Sequence, residues 1–431
     1  MSVVNPATNT LVGVIRLGDP VPKTLDPLYR GQLLVHGMGL SPDHRTLDVV
    51  SAGSNSVTFI DTATNKIKHI TYVGRSPHEA MFTPDGREVW VTVRGENYVQ
   101  VLDGKTYEPK LRITVPNGPG MTIFSPDNKY GYVCSSFVPE TEVIDVHTHE
   151  VVGSVKQAST FCPNIAATPD GRQVWFTLKD TGRTQVINAG PPFNTIAVLD
   201  TGPITNHVNF VRNAYGQFAY VSIGGRNEVK VYTTSNQPHL CATIHTGELP
   251  HGVWPSGDGT RVYVGLENSD ALTAINTLTN KVVAVVHSGQ SPQGIAYIPD
   301  AVPQGDGTAN LTPLGAAGQA VHFTLGAQGK LDTTVAVNNQ GLTDLLHAGV
   351  SGLQPMQPYF LALSGQVDGS GPLLPIAKFT ANASGTAVVQ AVGSVRVANT
   401  APDGHIQRRY LVISPIVDGK PGTPVQTEIK L

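Results

Sequence analysis

Hydrophobic and polar residues alternate with a period of two in short runs along the first three hundred residues. Residues 88–94 (EVWVTVR), 98–103 (YVQVLD) and 110–115 (KLRITV) follow one another with polar turns between them. Such alternation predicts strands, whereas helices would show apolar spacings of three and four. A turn motif punctuates the strands: Ser41-Pro42-Asp43, Thr83-Pro84-Asp85, Ser125-Pro126-Asp127, Thr168-Pro169-Asp170 and Ile298-Pro299-Asp300, with degenerate copies at Asn213 and Gly257. Pro presets φ and Asp supplies a side-chain acceptor, which is β-turn chemistry. The motif advances by 42 to 44 residues at each step, and each interval holds four strands. Period and content are those of a propeller blade, and seven copies of the innermost strand predict seven blades. The seventh lacks outer strands after residue 300. Residues 5–10 (NPATNT) and 11–17 (LVGVIRL) match the missing turn and fourth strand, so both chain ends are expected to close it.

Residues 58–66 (TFIDTATNK), 73–77 (VGRSP) and 83–87 (TPDGR) resemble the YVTN-type β-propeller repeat, and residues 276–281 (NTLTNK) with 288–292 (SGQSP) repeat the pattern. The resemblance covers about residues 2–300 and implies a fold, while such propellers serve as enzymes, cofactor carriers and surface proteins. After Asp300 the composition turns linker-like. From Val321 onward short alternating runs, such as 333–337 (TTVAV) and 410–414 (YLVIS), predict a small antiparallel sandwich. The expected chain is therefore all-β: a seven-bladed propeller over residues 1–312 and a β-sandwich over residues 313–431. The second domain is expected to serve dimerisation, docking of a partner protein, or cover of the propeller.

Composition narrows the function. Charged residues are 14% and the net charge is −3, so no field exists to hold nucleic acid. No apolar run reaches the length of a membrane span. Three cysteines are too few for a disulfide framework, and an odd count leaves at least one thiol free. Cys162 is expected as a buried small residue. Residues 2–6 (SVVNP) already read as the end of a strand, which points to a removed leader and a periplasmic or secreted location.

Chemistry concentrates at one repeated position. Six residues before each turn Pro or its equivalent stand His36, His78, Gly120, Pro163 (or Asn164), His207, His251 and Gln293. In a propeller this residue leads the strand that lines the central channel. Histidine is only 14 of 431 residues, so four in seven equivalent slots is not the work of chance. Neutral imidazole is a common ligand for transition metals, and His36, His78, His207 and His251 are the candidate ligands of one ion. Histidines that merely hydrogen-bond neighbouring strands or hold channel waters are the bland alternative. The arrangement, though no sequence motif, is similar to that of the carotenoid-cleaving oxygenases, in which four propeller histidines hold iron. Imidazole ligation favours copper or iron, with zinc left open.

Loops joining second and third strands open on the same face and carry Arg94, Glu96, Asp180, Arg226 and Glu267. The extra stretch at residues 19–31 would form a lid bearing Tyr29 and Arg30. Tyr29, Arg94 and Glu267 are the candidate catalytic residues. His147-Thr148-His149 aligns with an outer-rim turn, and His322, His347 and His405 read as structural. Three functions stay open: a metal-dependent oxidoreductase acting on a small molecule, a non-catalytic cell-envelope scaffold, and a metal-independent lactonase or lyase with a histidine base.

Overall fold

The computed structural model describes residues 1–17, 34–315, 320–327, 330–339, 343–395, 397–400 and 403–429. Within them six four-stranded antiparallel sheets follow one another. Blade one comprises Val35–Leu40, Thr46–Ser51, Ser56–Asp61 and Ile67–Tyr72, and blade two Pro77–Phe82, Glu88–Val93, Tyr98–Asp103 and Pro109–Thr114. Blades three to six start at Pro119, Ile165, Thr205 and Pro250. No helix among the described residues is long and apolar enough to cross a membrane.

Second strands such as Glu88–Val93 and Gln173–Leu178 are buried on both faces, while outermost strands such as Pro109–Thr114 stay largely exposed. Adjacent blades pack face to face, so an inner strand finds apolar cover on either side. The second strands fill this contact with Trp90, Tyr132 and Trp175, each third in its strand, and with Tyr220, fifth in the longer Gly216–Ile223, all fully buried. Trp90 meets Phe124 of blade three edge to face at 5.1 Å, and Trp175 meets Phe210 of blade five at 5.8 Å. Blade one places Asp48 at the same position. Its Oδ1 accepts from the Gly39 amide at 2.9 Å, and burial raises its carboxyl well above the ordinary range. Hydroxyls further along the second strands fasten each blade to the next. Thr92 donates to the Gly120 carbonyl at 3.0 Å, Thr177 to that of Asn206 at 2.6 Å, and Ser222 to that of His251 at 2.5 Å.

The count of regular blades is six, not the seven that the repeat predicts. Residues 293–298 continue the ring but form no strand, because the Gly- and Pro-rich residues after Asp300 offer no alternating run to pair with them. The N-terminal hairpin, Ser2–Asn5 with Thr10–Val14, stands in this sector, joined to the segment that follows the propeller by paired hydrogen bonds between Val14 and Thr312. Met1, Val3, Ile15 and Leu17 cover Leu47, Val49 and Ile60 of blade one together with Ala296 and Ile298.

Cys162 is not a lone small residue: it is disulfide-bonded to Cys134, and Cys241 is free and exposed. The ring brings the second strand of blade three against the segment entering blade four, where Ser136 also donates to the Cys162 carbonyl at 3.0 Å.

The C-terminal domain is one antiparallel sheet whose path runs from Leu373–Thr380 through Pro358–Ser364, Tyr410–Val417, Gln426–Glu428, Val321–Ala327, Lys330–Asn339 and Asp344–Val350 to Ala387–Gly393. It curls around a single core that includes Leu325, Val335, Leu361, Leu363, Leu411 and Ile413. This domain sits on blades five and six. Asn268 donates to the Thr334 carbonyl at 2.9 Å, Leu249 packs on Gly349, and the Ser351 hydroxyl donates to the Gly225 carbonyl at 3.3 Å.

Glu248 lies in this interface, 3.5 Å from the Thr324 hydroxyl. Burial pushes its carboxyl up to about 7, against the pull of that hydroxyl. A carboxyl raised on folding costs nothing at pH 4, where it is protonated in both states. Stability is lost as pH rises through the folded value. Glu248→Gln is therefore expected to raise the melting temperature at pH 8 by about 2–6 °C and to leave it unchanged at pH 4. Scanning calorimetry at the two pH values checks this.

Candidate metal centre

The ring histidines stand second in their innermost strands (His36, His78, His251) or third (His207), where neighbouring blades converge. His36 and His78 stand 4.0 Å apart between ring centroids, His36 and His251 6.0 Å, and His207 and His251 4.8 Å. The four histidines thus occupy one arc, from blade two through blades one and six to blade five. Gln293 lies within that arc, its carbonyl accepting from the Gly252 amide at 3.0 Å. The other side of the ring carries Gly120, Pro163 and Asn164, whose Oδ1 accepts from the Val208 amide at 2.9 Å.

Ligand atoms of His36, His78 and Glu79 all lie within 4.8 Å of one another. His207 and His251 lie outside this tight group. Glu79 reaches it because Gly37 has no side chain: a Cβ there would come within 2.0 Å of Glu79 Oε2. Burial raises the Glu79 carboxyl, while His36 pulls it the other way, its Nδ1 3.6 Å from Oε1.

Two imidazoles have their tautomers fixed from behind. His78 donates from Nδ1 to the Gly120 carbonyl at 2.6 Å, and His251 donates from Nδ1 to Glu267 Oε2 at 2.9 Å. Each is left with its lone pair on Nε2, the pattern of metal-bound histidine. Burial holds His78 and His207 well below the usual histidine range, helped by His36 and Arg94 for the first and by His251 for the second. Burial takes His251 down to about 4 against the pull of Glu267. All three are neutral at pH 7. His36 Nδ1 and His207 Nε2 are buried without a hydrogen-bond partner, the state expected of nitrogens that await a cation.

Glu267 is the hub of the centre. It accepts from His251 and from the Gln293 amide, and its Oε1 lies 3.0 Å from His347 Nε2. His347 belongs to the C-terminal domain, with Nδ1 2.9 Å from Asn268 Oδ1. Burial alone would raise the Glu267 carboxyl, but His347 and His251 outweigh it and hold the group well below the usual carboxylate range.

Arg94 stands beside His78 with its guanidinium over the rings of Phe137 and Phe161, at 5.5 and 5.0 Å. The remaining loop candidates have other partners: Glu96 accepts from the Arg75 amide at 2.8 Å, Asp180 from the Ser159 hydroxyl, and Arg226 lies 4.0 Å from Glu228. His149 bonds Glu88 at 2.8 Å across a blade boundary. Tyr29 and the lid at residues 19–31 lie outside the described residues. A surface depression of about 630 Å³ lies on the rim between blades four and five, around Gln173 and Asn236, and touches none of these residues.

Reading the sequence by slots missed Glu79, His347 and Lys179, whose amine desolvation takes down to about 8 with help from Arg94. Glu79 directly follows a ring histidine and Lys179 directly precedes Asp180, so both were in plain view. His347 carried one signal, a histidine within an otherwise apolar strand (DLLHAGV).

No protein-family model and no curated protein matches the sequence. Among solved structures the chain is similar to hydrazine synthase of Kuenenia stuttgartiensis, at 20% identity and a TM-score of 0.57 over 66% of this chain and 94% of that one, a likeness of fold.

Proposed function

We propose that this chain is a metal-dependent oxidoreductase acting on a small molecule at the histidine ring. The observation that carries the reading is the group of half-buried His36 with buried His78 and Glu79, whose ligand atoms lie within 4.8 Å of one another. Two imidazoles and a carboxylate are the donor set of non-haem iron(II) oxygenases, so the acid shifts the choice toward iron over copper. Zinc stays an outcome of the test. His251 and His207, with Nε2 unengaged or unpartnered, stand next to the group as further ligands.

A bound metal supplies Lewis-acid and one-electron chemistry. The chain's own residues do the rest. His78 and His251 are presented in one tautomer by the Gly120 carbonyl and Glu267, and Gly120 itself packs against the Cys162 carbonyl and the Ser136 hydroxyl, where a Cβ would come within 2.4 and 2.6 Å. The disulfide favours an oxidising compartment, in keeping with a periplasmic or secreted location. The YVTN-like repeat fits the same picture, and the name of the structural neighbour is that of an enzyme.

Full-length, tag-free protein is expected to carry about one equivalent of metal, measured by mass spectrometry of the digested sample. His36→Ala/His78→Ala protein should carry none. Equal and negligible metal in both would overturn the reading. The buried His251–Glu267 pair favours one alternative, a metal-free histidine base, which would keep its activity in excess chelator.

A further inference from the structure

Among the described residues, two cations beside the histidine ring have no carboxylate within ion-pair distance. Ten residues beyond each turn Pro or its equivalent, the blades place Ala52, Arg94, Ser136, Lys179, Ile223 and Glu267, so a second slot repeats behind the first. Glu267 is committed to His251, Gln293 and His347. Arg94 has its Nε buried without a partner, and among the described residues no carboxylate lies within ion-pair distance of either cation. Both are desolvated, which takes Arg94 down to about 10 and Lys179 to about 8, and each repels the other. Glu267 pulls Lys179 upward without neutralising it. An uncompensated pair of this kind destabilises the ligand-free protein, and such arrangements cluster where an anion binds.

Between the two cations lies blade three, whose two slots hold Gly120 and Ser136 and so no large side chain. The Arg94 guanidinium carbon lies over the rings of Phe137 and Phe161, and the Phe161 carbonyl accepts from the Lys179 amide at 3.1 Å, so both cations meet at the same segment; a guanidinium suits a planar, two-pronged acceptor. We propose that the sector over blade three, between Arg94 and Lys179, binds the carboxylate of a small organic acid with a flat apolar body. An aryl or arylalkyl carboxylate has the right chemistry: its charge meets the two cations, its ring lies along the phenylalanines, and its remaining atoms face the histidines. This deepens the reading above, on which its status as a substrate site rests, by naming the substrate class.

The test is calorimetric titration of the full chain with benzoate, phenylacetate and phenylpyruvate, with benzamide as the uncharged match and inorganic phosphate as the simple anion. It is run on chelator-treated and on metal-loaded protein. At least one carboxylate should bind ten-fold or more tighter than benzamide, and Arg94→Gln and Lys179→Gln should each weaken it ten-fold or more. Lys179→Met, measured without ligand, should raise the melting temperature, because it removes a half-buried, desolvated cation with no carboxylate within ion-pair distance among the described residues. Three results would overturn the proposal: no carboxylate preferred over benzamide, variants that bind like the unaltered chain, or phosphate bound alone. A fall in melting temperature for Lys179→Met would do the same by marking the residue as structural. Carboxylate binding by an unaltered chain that takes up no metal on loading would sink the metal reading and leave this one standing.

Discussion

Replacing Glu267 by glutamine is expected to weaken metal binding at the histidine ring by about 10- to 100-fold while the propeller stays folded. The carboxylate fixes His251 with its lone pair on Nε2 and raises the basicity of that nitrogen through the 2.9 Å bond to Nδ1. Glutamine keeps the shape and an acceptor oxygen but removes the charge, so the imidazole loses its counter-charge and the basicity that the carboxylate lends it. Glu267→Ala goes further, because it strips the common partner from His251, His347 and Gln293 at once. Losing one member of a buried charged network costs about 3–5 kcal/mol. Metal titration separates the first effect and urea melts the second. If the glutamine variant binds metal within a factor of two of the unaltered chain, Glu267 only fills space.

The second large effect is expected at the disulfide. Cys134 and Cys162 are 28 residues apart in sequence with their Cα atoms 6.0 Å apart. Closing a loop of that length removes chain entropy from the unfolded state worth about 3–4 kcal/mol. Cys134→Ser/Cys162→Ser should lose that much in urea melts and keep its metal, since neither sulfur touches the histidines. Unchanged stability would show that the bond forms without contributing to the fold. Loss of metal along with stability would show that the ring closes only under this covalent tie.

Much of this architecture was legible because a propeller repeats its backbone. Counting back from Pro42 and Pro84 located His36 and His78, and the same count found His207 and His251 without any motif. The blade count was overestimated for a physical reason. Residues 293–298 carry the innermost pattern, but a strand needs a ladder partner, and the residues after Asp300 provide none. The centre itself was only half visible. Glu79 enters it because Gly37 leaves room, which no periodicity reports. The pairing of Cys134 with Cys162 depends on two blades meeting, and the count of cysteines pointed away from it. His347 comes from the other domain, nearly one hundred positions beyond His251, and only docking brings it to Glu267.

That docking has a thermodynamic consequence. His347 and Asn268 tie the C-terminal sheet to the carboxylate that orients His251. If this contact strengthens metal binding by some factor, metal must strengthen the attachment of the two domains by the same factor, because linkage is reciprocal. The propeller and the sheet then form one cooperative unit whose cohesion reports on what the ring holds. Cutting the chain between them would alter the centre even where every histidine of the ring remained.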